Sequence, residues 1–213
     1  MLQYKNIKFM KKTHLFLTLI SIIFCTFTSK AQKIENTIYG SLGIAISNDS
    51  YNENSDRGLT AKIGYGLNFF FSENISTMTG IALHCHSESL LNQNMVGGDF
   101  DDLVFLDFPV IFQGHFETTS NGKFMLGIGP VFSACVSNDE YYIDSDPNAP
   151  LNGLKKIKPF NFSIMPCIAY ELNHCRIGFD VNIGLKNIKK TYNGLIGGSR
   201  HINNVCLTFG VKF

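Results

Sequence analysis

The stretch Arg176-Ile-Gly-Phe-Asp-Val-Asn-Ile-Gly-Leu-Lys186 alternates polar and apolar residues without a break. A period of two places alternate side chains on opposite faces of a β-strand. One face of this strand carries only bulky apolar residues, namely Ile177, Phe179, Val181, Ile183 and Leu185. The other face carries glycine, asparagine and charged residues. The stretch therefore predicts a long strand with one apolar face and one polar face.

The same pattern recurs along the rest of the chain. Residues 106–116 and 160–171 alternate almost as regularly, and a noisier alternation predicts strands at residues 37–47, 59–71, 75–86, 123–135 and 203–213. Each predicted strand is about twice as long as the roughly 5 to 6 residues usual in globular proteins, and it suits a tilted crossing of a bilayer. The sequence predicts eight such strands.

The segments between these strands alternate in length. The short ones are residues 72–74, 117–122 and 173–174, and the long ones are residues 48–58, 87–101, 137–158 and 187–202. Short periplasmic turns and long extracellular loops are typical of outer-membrane barrels. The predicted fold is all-β, an eight-stranded antiparallel transmembrane β-barrel.

A soluble sandwich or lipocalin-like barrel is the alternative for this strand pattern, because it would bury the apolar face instead. The sizes of the side chains favour the membrane barrel. Bulky Phe, Ile, Leu and Val suit a surface that faces lipid, whereas the small and polar residues of the other face suit a narrow lumen.

The composition limits the possible classes of protein. The chain has 213 residues, of which 16% are charged and 13% are aromatic, with 19 Phe and no Trp. This length suits one domain, and the composition excludes a disordered chain or a long helical rod. A formal net charge of +1 gives no basic excess for binding nucleic acid. No C-x-x-C motif or zinc-finger spacing occurs, so we expect no cofactor and no metal.

The N-terminal residues have the features of a secretory signal. Four lysines precede an apolar run over residues 15–27, and small residues at Ser29 and Ala31 predict cleavage before Gln32. The run is shorter than the about 20 residues needed for a membrane-spanning helix. Residues 1–31 are therefore predicted to be a signal peptide, and residues 32–213 the barrel domain, exported to the outer membrane.

Four short stretches resemble a known family. They are Val205-Cys-Leu-Thr-Phe-Gly-Val-Lys-Phe213, Phe105-Leu-Asp-Phe-Pro-Val-Ile-Phe112, Gly127-Ile-Gly-Pro130 and the junction Ala31-Gln32. Together they resemble the outer-membrane β-barrel family of Bacteroidota, the porin-like or PorT-like group. The resemblance implies an eight-stranded barrel and, for most members, no assigned activity. It also implies that Phe213 is part of the insertion signal read by the barrel-assembly machinery.

Charged residues on the polar face are expected to fill the lumen. The predicted polar plug consists of Lys62, Asp107, Glu171, Arg176, Asp180, Lys186 and Lys212. Acidic and basic groups are nearly balanced, and eight strands enclose only enough space for their own side chains. We therefore expect paired charges, and the alternative is a narrow path for ions or protons.

Aromatic residues are expected to form a girdle at the periplasmic end of the barrel. They lie on the apolar face within a few residues of the short turns, at Phe71, Phe116, Phe124 and Tyr170, with Phe213 at the chain end. Aromatic side chains are enriched at membrane interfaces. At the outer rim only Phe132 and Phe160 stand out.

Three histidines and one loop suggest other chemistry. His84, His86 and His115 could converge on a metal, but the first two are predicted near the loops and the third near the turns. With Ser87 and Glu88, the histidine pair could instead form a lipid-hydrolysing site at the rim.

The segment Asp144-Ser-Asp-Pro-Asn148 begins like a calcium loop. The match then fails, because Ala149 replaces the required glycine and Lys155 replaces the final glutamate. Lysines and acids in the same loop could bind lipopolysaccharide or a protein.

The sequence therefore predicts a small non-enzymatic outer-membrane barrel that acts structurally or by binding through its extracellular loops. Its expected partners are outer-membrane lipid, lipopolysaccharide and a protein at the loops. A lipid-modifying enzyme at the rim and a narrow diffusion pore are the alternatives.

Overall fold

A computed structural model describes residues 31, 33–49, 55–87, 103–118, 122–137, 157–189 and 199–213. It contains eight strands: β1 (Lys33–Asp49), β2 (Ser55–Ser72), β3 (Ile75–Ser87), β4 (Leu103–Glu117), β5 (Gly122–Ser137), β6 (Phe160–Leu172), β7 (Cys175–Gly184) and β8 (Arg200–Lys212). Each strand pairs antiparallel with the next, and β1 also pairs with β8, so the barrel is closed. Among these residues no helix is long and apolar enough to cross a membrane.

The alternation of side chains divides every strand between the lumen and the outside. In β7, Phe179 is 56% exposed, whereas the neighbouring Asp180 is buried. The same holds around the barrel, where the exposed large apolar side chains are Ile, Leu, Val, Phe and Tyr65, and most buried side chains are polar. The prediction of an eight-stranded barrel with an apolar outer face and a polar interior is confirmed.

The two ends of the barrel differ. At one end, here called the turn end, residues 73–74 and 173–174 form tight turns, and Asn173 adopts a left-handed backbone conformation with φ of 50°. The opposite end is called the loop end. The connection predicted over residues 48–58 is shorter than expected, because β1 and β2 extend to Asp49 and Ser55.

The prediction that Lys186 faces the lumen is wrong. β7 ends at Gly184, and the chain bends at Lys186, which is exposed. The bend turns Lys186 outward and thereby interrupts the period of two, whereas Ile188, two residues further, is fully buried.

The barrel closes between β1 and β8. Beyond the end of β8, Phe213 and Asn36 exchange two backbone hydrogen bonds of 3.0 Å. Further along this seam the strands approach closely at Gly43, where an added Cβ would lie 2.0 Å from the carbonyl oxygen of Val205. Only glycine fits this position without displacing backbone.

Two rows of aromatic side chains cross the outer face. The strand register places Phe116, Phe124 and Tyr170 side by side near the turn end. Eight residues further along the same strands, it aligns Phe108, Phe132 and Phe162. At the usual rise and tilt, the rows are separated by about 27 Å along the strands and about 20 Å along the barrel axis.

The predicted girdle residue Phe71 is half-buried and lies at a register shift between Phe70 and Ser72. It is therefore not part of the regular row, whereas Phe213 is 62% exposed. The row near the loop end was only partly predicted, because Phe108 and Phe162 become neighbours of Phe132 only through the register.

Candidate functional site

The lumen is the candidate site, and its turn end contains one carboxylate surrounded by cations. Glu171 accepts from Arg176 Nε at 2.7 Å and from Lys212 Nζ at 3.0 Å. His115 Nδ1 lies 3.5 Å from the same carboxylate, while its Nε2 is 2.8 Å from the Ser76 hydroxyl. All of these side chains lie on the lumen-facing side of their strands, which are β3, β4, β6, β7 and β8. We call this group the turn-end cluster.

A second ion pair lies deeper in the lumen. Lys62 Nζ donates to Asp180 at 2.9 Å, and both side chains are almost fully buried. Thr208 also donates its hydroxyl to Asp180, and the hydroxyls of Thr208 and Ser41 are 2.7 Å apart. The charge of each ion is therefore balanced by a direct partner in a buried part of the lumen.

A chain of three hydrogen-bonded groups lies nearer the loop end. The hydroxyl of Thr60 is 2.8 Å from His84 Nε2, and His84 Nδ1 is 2.8 Å from Asp107 Oδ2. The His86 ring lies next to His84 with 4.1 Å between centroids. We call Thr60, His84 and Asp107 the relay.

An apolar layer covers the loop end of the lumen. It consists of buried side chains from three strands and from two segments beside them, namely Ala45, Leu103, Phe105, Ile157, Ile188 and Ile202. The two segments are joined by an isolated bridge between Ile157 and Lys189. We call this layer the roof.

The space left inside the barrel is small. A cavity beside Lys62 and Asp180 measures about 50 Å³, and one below the roof measures about 10 Å³, close to the volume needed for one water molecule. A larger cavity of about 520 Å³ lies at the turn end, between Lys33, Glu117 and Lys212. The described lumen is thus largely filled by its own side chains, with room for a few water molecules beside Lys62 and Asp180, and it opens at the turn end.

The structure brings together most of the predicted plug residues. Glu171, Arg176 and Lys212 meet in the turn-end cluster, and Lys62 meets Asp180. Asp107 is buried but pairs with His84 rather than with a lysine or arginine. Three further lumen partners were not predicted from the sequence, although they lie on the polar face of their strands: Ser41, Thr60 and Ser76.

The three histidines occupy different levels. His115 belongs to the turn-end cluster, while His84 and His86 lie near the roof. Within the described part of the chain, no group of three or more His, Cys, Asp or Glu side chains could hold a metal ion. Glu88 and the segment 144–148 lie outside the described residues.

The relay has the order of groups found in nucleophilic triads: hydroxyl, imidazole and carboxylate. However, Thr60, His84 and Asp107 are each no more than 3% exposed, and Thr60 also hydrogen-bonds the carbonyl oxygen of Cys85 at 3.1 Å. A nucleophile must reach its substrate, and here the roof covers the relay. The relay therefore satisfies buried polar groups and joins β2, β3 and β4.

We expect Asp107→Asn to lower the free energy of unfolding by about 1 to 3 kcal/mol, because a neutral amide cannot replace the charged acceptor of a buried histidine. Urea titration of the barrel in vesicles, followed by its folded gel mobility, measures the change. Glu73→Gln, at an exposed carboxylate in a turn, is the control and should have little effect. A loss as small as that of the control would show that the relay contributes nothing to stability.

Comparisons with known proteins identify the fold but not the family. No protein-family model matches, and neither does any curated protein. The crystal structure of neisserial surface protein A is similar over 84% of this chain and 97% of its own, with a TM-score of 0.51 and 11% identity. The outer membrane enzyme PagL is similar over 82% and 98%, with a TM-score of 0.52 and 10% identity. This chain therefore shares the fold of small outer-membrane barrels.

Proposed function

We propose that this protein is a small, non-enzymatic outer-membrane barrel that is closed to solutes and binds through its extracellular loops. The observation that carries the proposal is the filled lumen. Most of its buried charges are paired within the turn-end cluster, the Lys62–Asp180 pair and the relay, Arg200 donates to the Ser47 hydroxyl, and the roof lies at the loop end. A barrel of this kind presents its functional surface outside the lumen.

An outer-membrane location is supported by the outer face. An apolar band lies between the two aromatic rows, as expected for a surface in contact with lipid. With the turn end in the periplasm, the long connections are extracellular, where lipopolysaccharide or a protein is the partner. The proposal includes cleavage before Gln32, insertion by the barrel-assembly machinery through Phe213, and the resemblance to the Bacteroidota group.

The alternatives have less support. PagL is an enzyme by name, but the described residues of the present chain place their hydroxyl, imidazole and carboxylate under the roof. A diffusion pore needs an aqueous path, and the side chains of the ion pairs occupy the middle of the lumen. The proposed non-enzymatic, non-conducting barrel fits both observations.

Reconstitution into planar bilayers tests the proposal. We expect no steady single-channel current, because eight strands enclose little more than their own side chains. Steady currents would favour the pore instead. In parallel, lipid A from cells that carry the wild type should equal lipid A from cells with His84→Ala and His86→Ala. A lipid A product that depends on these histidines would favour the enzyme.

A further inference from the structure

A small polar cavity lies between the histidine pair and the opposite wall of the lumen. It measures about 10 Å³, and its lining includes His86 of β3, Ser163 of β6 and Asn182 of β7. These three residues are only 4%, 2% and 5% exposed, respectively. We call this space the roof cavity.

Each of the three residues has a buried polar atom that forms no hydrogen bond with any described residue. The atoms are His86 Nδ1, Ser163 Oγ and Asn182 Oδ1. Buried polar atoms nearly always have a partner, which is either another protein group or an ordered water molecule. Three such atoms in residues that line one cavity therefore indicate a common partner inside it.

The ring of His86 is held in place by its neighbours. His84 lies on one side with 4.1 Å between ring centroids, and Phe105 meets the ring almost at a right angle at 5.7 Å. A ring packed in this way does not turn freely toward a distant partner. The partner of Nδ1 must therefore come to the ring.

The charge and the volume of the roof cavity select the ligand. The described residues that line it include no Asp, Glu, Lys or Arg, so an inorganic cation or anion would find no counter-charge there. A cavity of this volume holds about one water molecule. Water can both donate and accept, which suits an amide oxygen, a hydroxyl and an imidazole nitrogen.

Direct contacts join opposite walls of the lumen at two other levels. At the turn end, His115 of β4 lies 3.5 Å from Glu171 of β6, and deeper in the lumen Lys62 of β2 donates to Asp180 of β7 at 2.9 Å. Near the roof, by contrast, the relay joins the neighbouring strands β2, β3 and β4. A ligand in the roof cavity would connect this side to β6 and β7.

We propose that the roof cavity binds one ordered water molecule, which bridges His86 Nδ1, Ser163 Oγ and Asn182 Oδ1 and joins the two walls of the lumen near the roof. The water donates to the Asn182 oxygen and exchanges hydrogen bonds with the other two groups. The inference goes beyond the proposed function, because it concerns the interior of the barrel and does not depend on what the loops bind.

A high-resolution crystal structure of the wild-type barrel tests the inference. We expect one solvent peak within about 3.2 Å of all three atoms, the usual upper limit for a hydrogen bond. In Ser163→Val the hydroxyl is replaced and the added methyl fills the roof cavity, so the peak should be lost. Ser76→Ala, which removes a buried hydroxyl from the turn-end cluster, is the control and should keep the peak.

A milder variant protects the test against misfolding of Ser163→Val. Ser163→Ala leaves the space and two of the three partners, so we expect it to keep both the peak and the folded gel mobility. A wild-type structure without the peak would overturn the inference, as would a peak that persists in Ser163→Val. Neither result would bear on conductance, so failure here is distinguishable from failure of the proposed function.

Discussion

Glu171→Gln is expected to lower the free energy of unfolding by about 3 to 5 kcal/mol, which is the usual cost of leaving a buried charge without its partner. The carboxylate of Glu171 is almost fully buried and contacts Arg176, Lys212 and His115. Glutamine has nearly the same shape but no charge, so Arg176 would lose the carboxylate that it contacts, while Lys212 would keep only its longer contact of 3.9 Å to Glu35. Urea titration in vesicles, followed by gel mobility, measures the loss.

Glu117→Gln is the matched control for this prediction. Glu117 lies at the same end of the barrel and contacts Lys123 at 3.4 Å, but its side chain is 70% exposed. Exposed pairs of this kind contribute about 0 to 1 kcal/mol. If Glu171→Gln cost no more than Glu117→Gln, the turn-end cluster would not be a stabilising element of the lumen.

Gly43→Ala is expected to hinder closure of the barrel, with a loss of stability at or above the upper end of the about 1 to 3 kcal/mol that overpacking costs. The added methyl would lie 2.0 Å from the Val205 oxygen and 2.7 Å from the Cys206 Cα, both backbone atoms of β8. Relief requires β1 and β8 to separate at the seam that closes the barrel. The fraction of protein that reaches the folded, heat-modifiable gel mobility measures the defect.

The matched control lies on the same strand. At Gly40 an added Cβ would approach the Lys62 oxygen only to 3.8 Å, an ordinary contact. Gly40→Ala should therefore fold like wild type and could even be slightly more stable, because alanine restricts the unfolded chain. Normal folding of Gly43→Ala would show that the two strands can move apart at little cost.

The sequence predicted which side chains face the lumen, but it did not predict which of them contact one another. A period of two places Glu171, Arg176 and Asp180 on the polar side, and this depends only on local alternation. The pairing of these charged side chains depends on the register between strands. Closure of the whole barrel sets this register. Asp107 was expected to pair with a lysine or arginine, yet the register of β3 and β4 brings it to His84.

The error at Lys186 has a local cause. Alternation continues in the sequence for two residues beyond Gly184, but the backbone bends there, so that Lys186 is exposed while Ile188 packs in the roof. Burying this isoleucine removes apolar surface from water, whereas burying the lysine would require a partner for its charge. A sequence pattern contains no signal for a bend of this kind.

The roof also has a consequence for how the barrel can be used. Ile157 and Ile188 fix the backbone where the connections at residues 138–156 and 190–198 leave the described structure. We expect that replacements confined to residues beyond these anchors leave the roof and the described lumen intact, since closing a longer segment costs little additional entropy. Foreign peptides inserted between residues 139 and 155 should therefore be displayed on an intact scaffold, provided that Ile157 is retained.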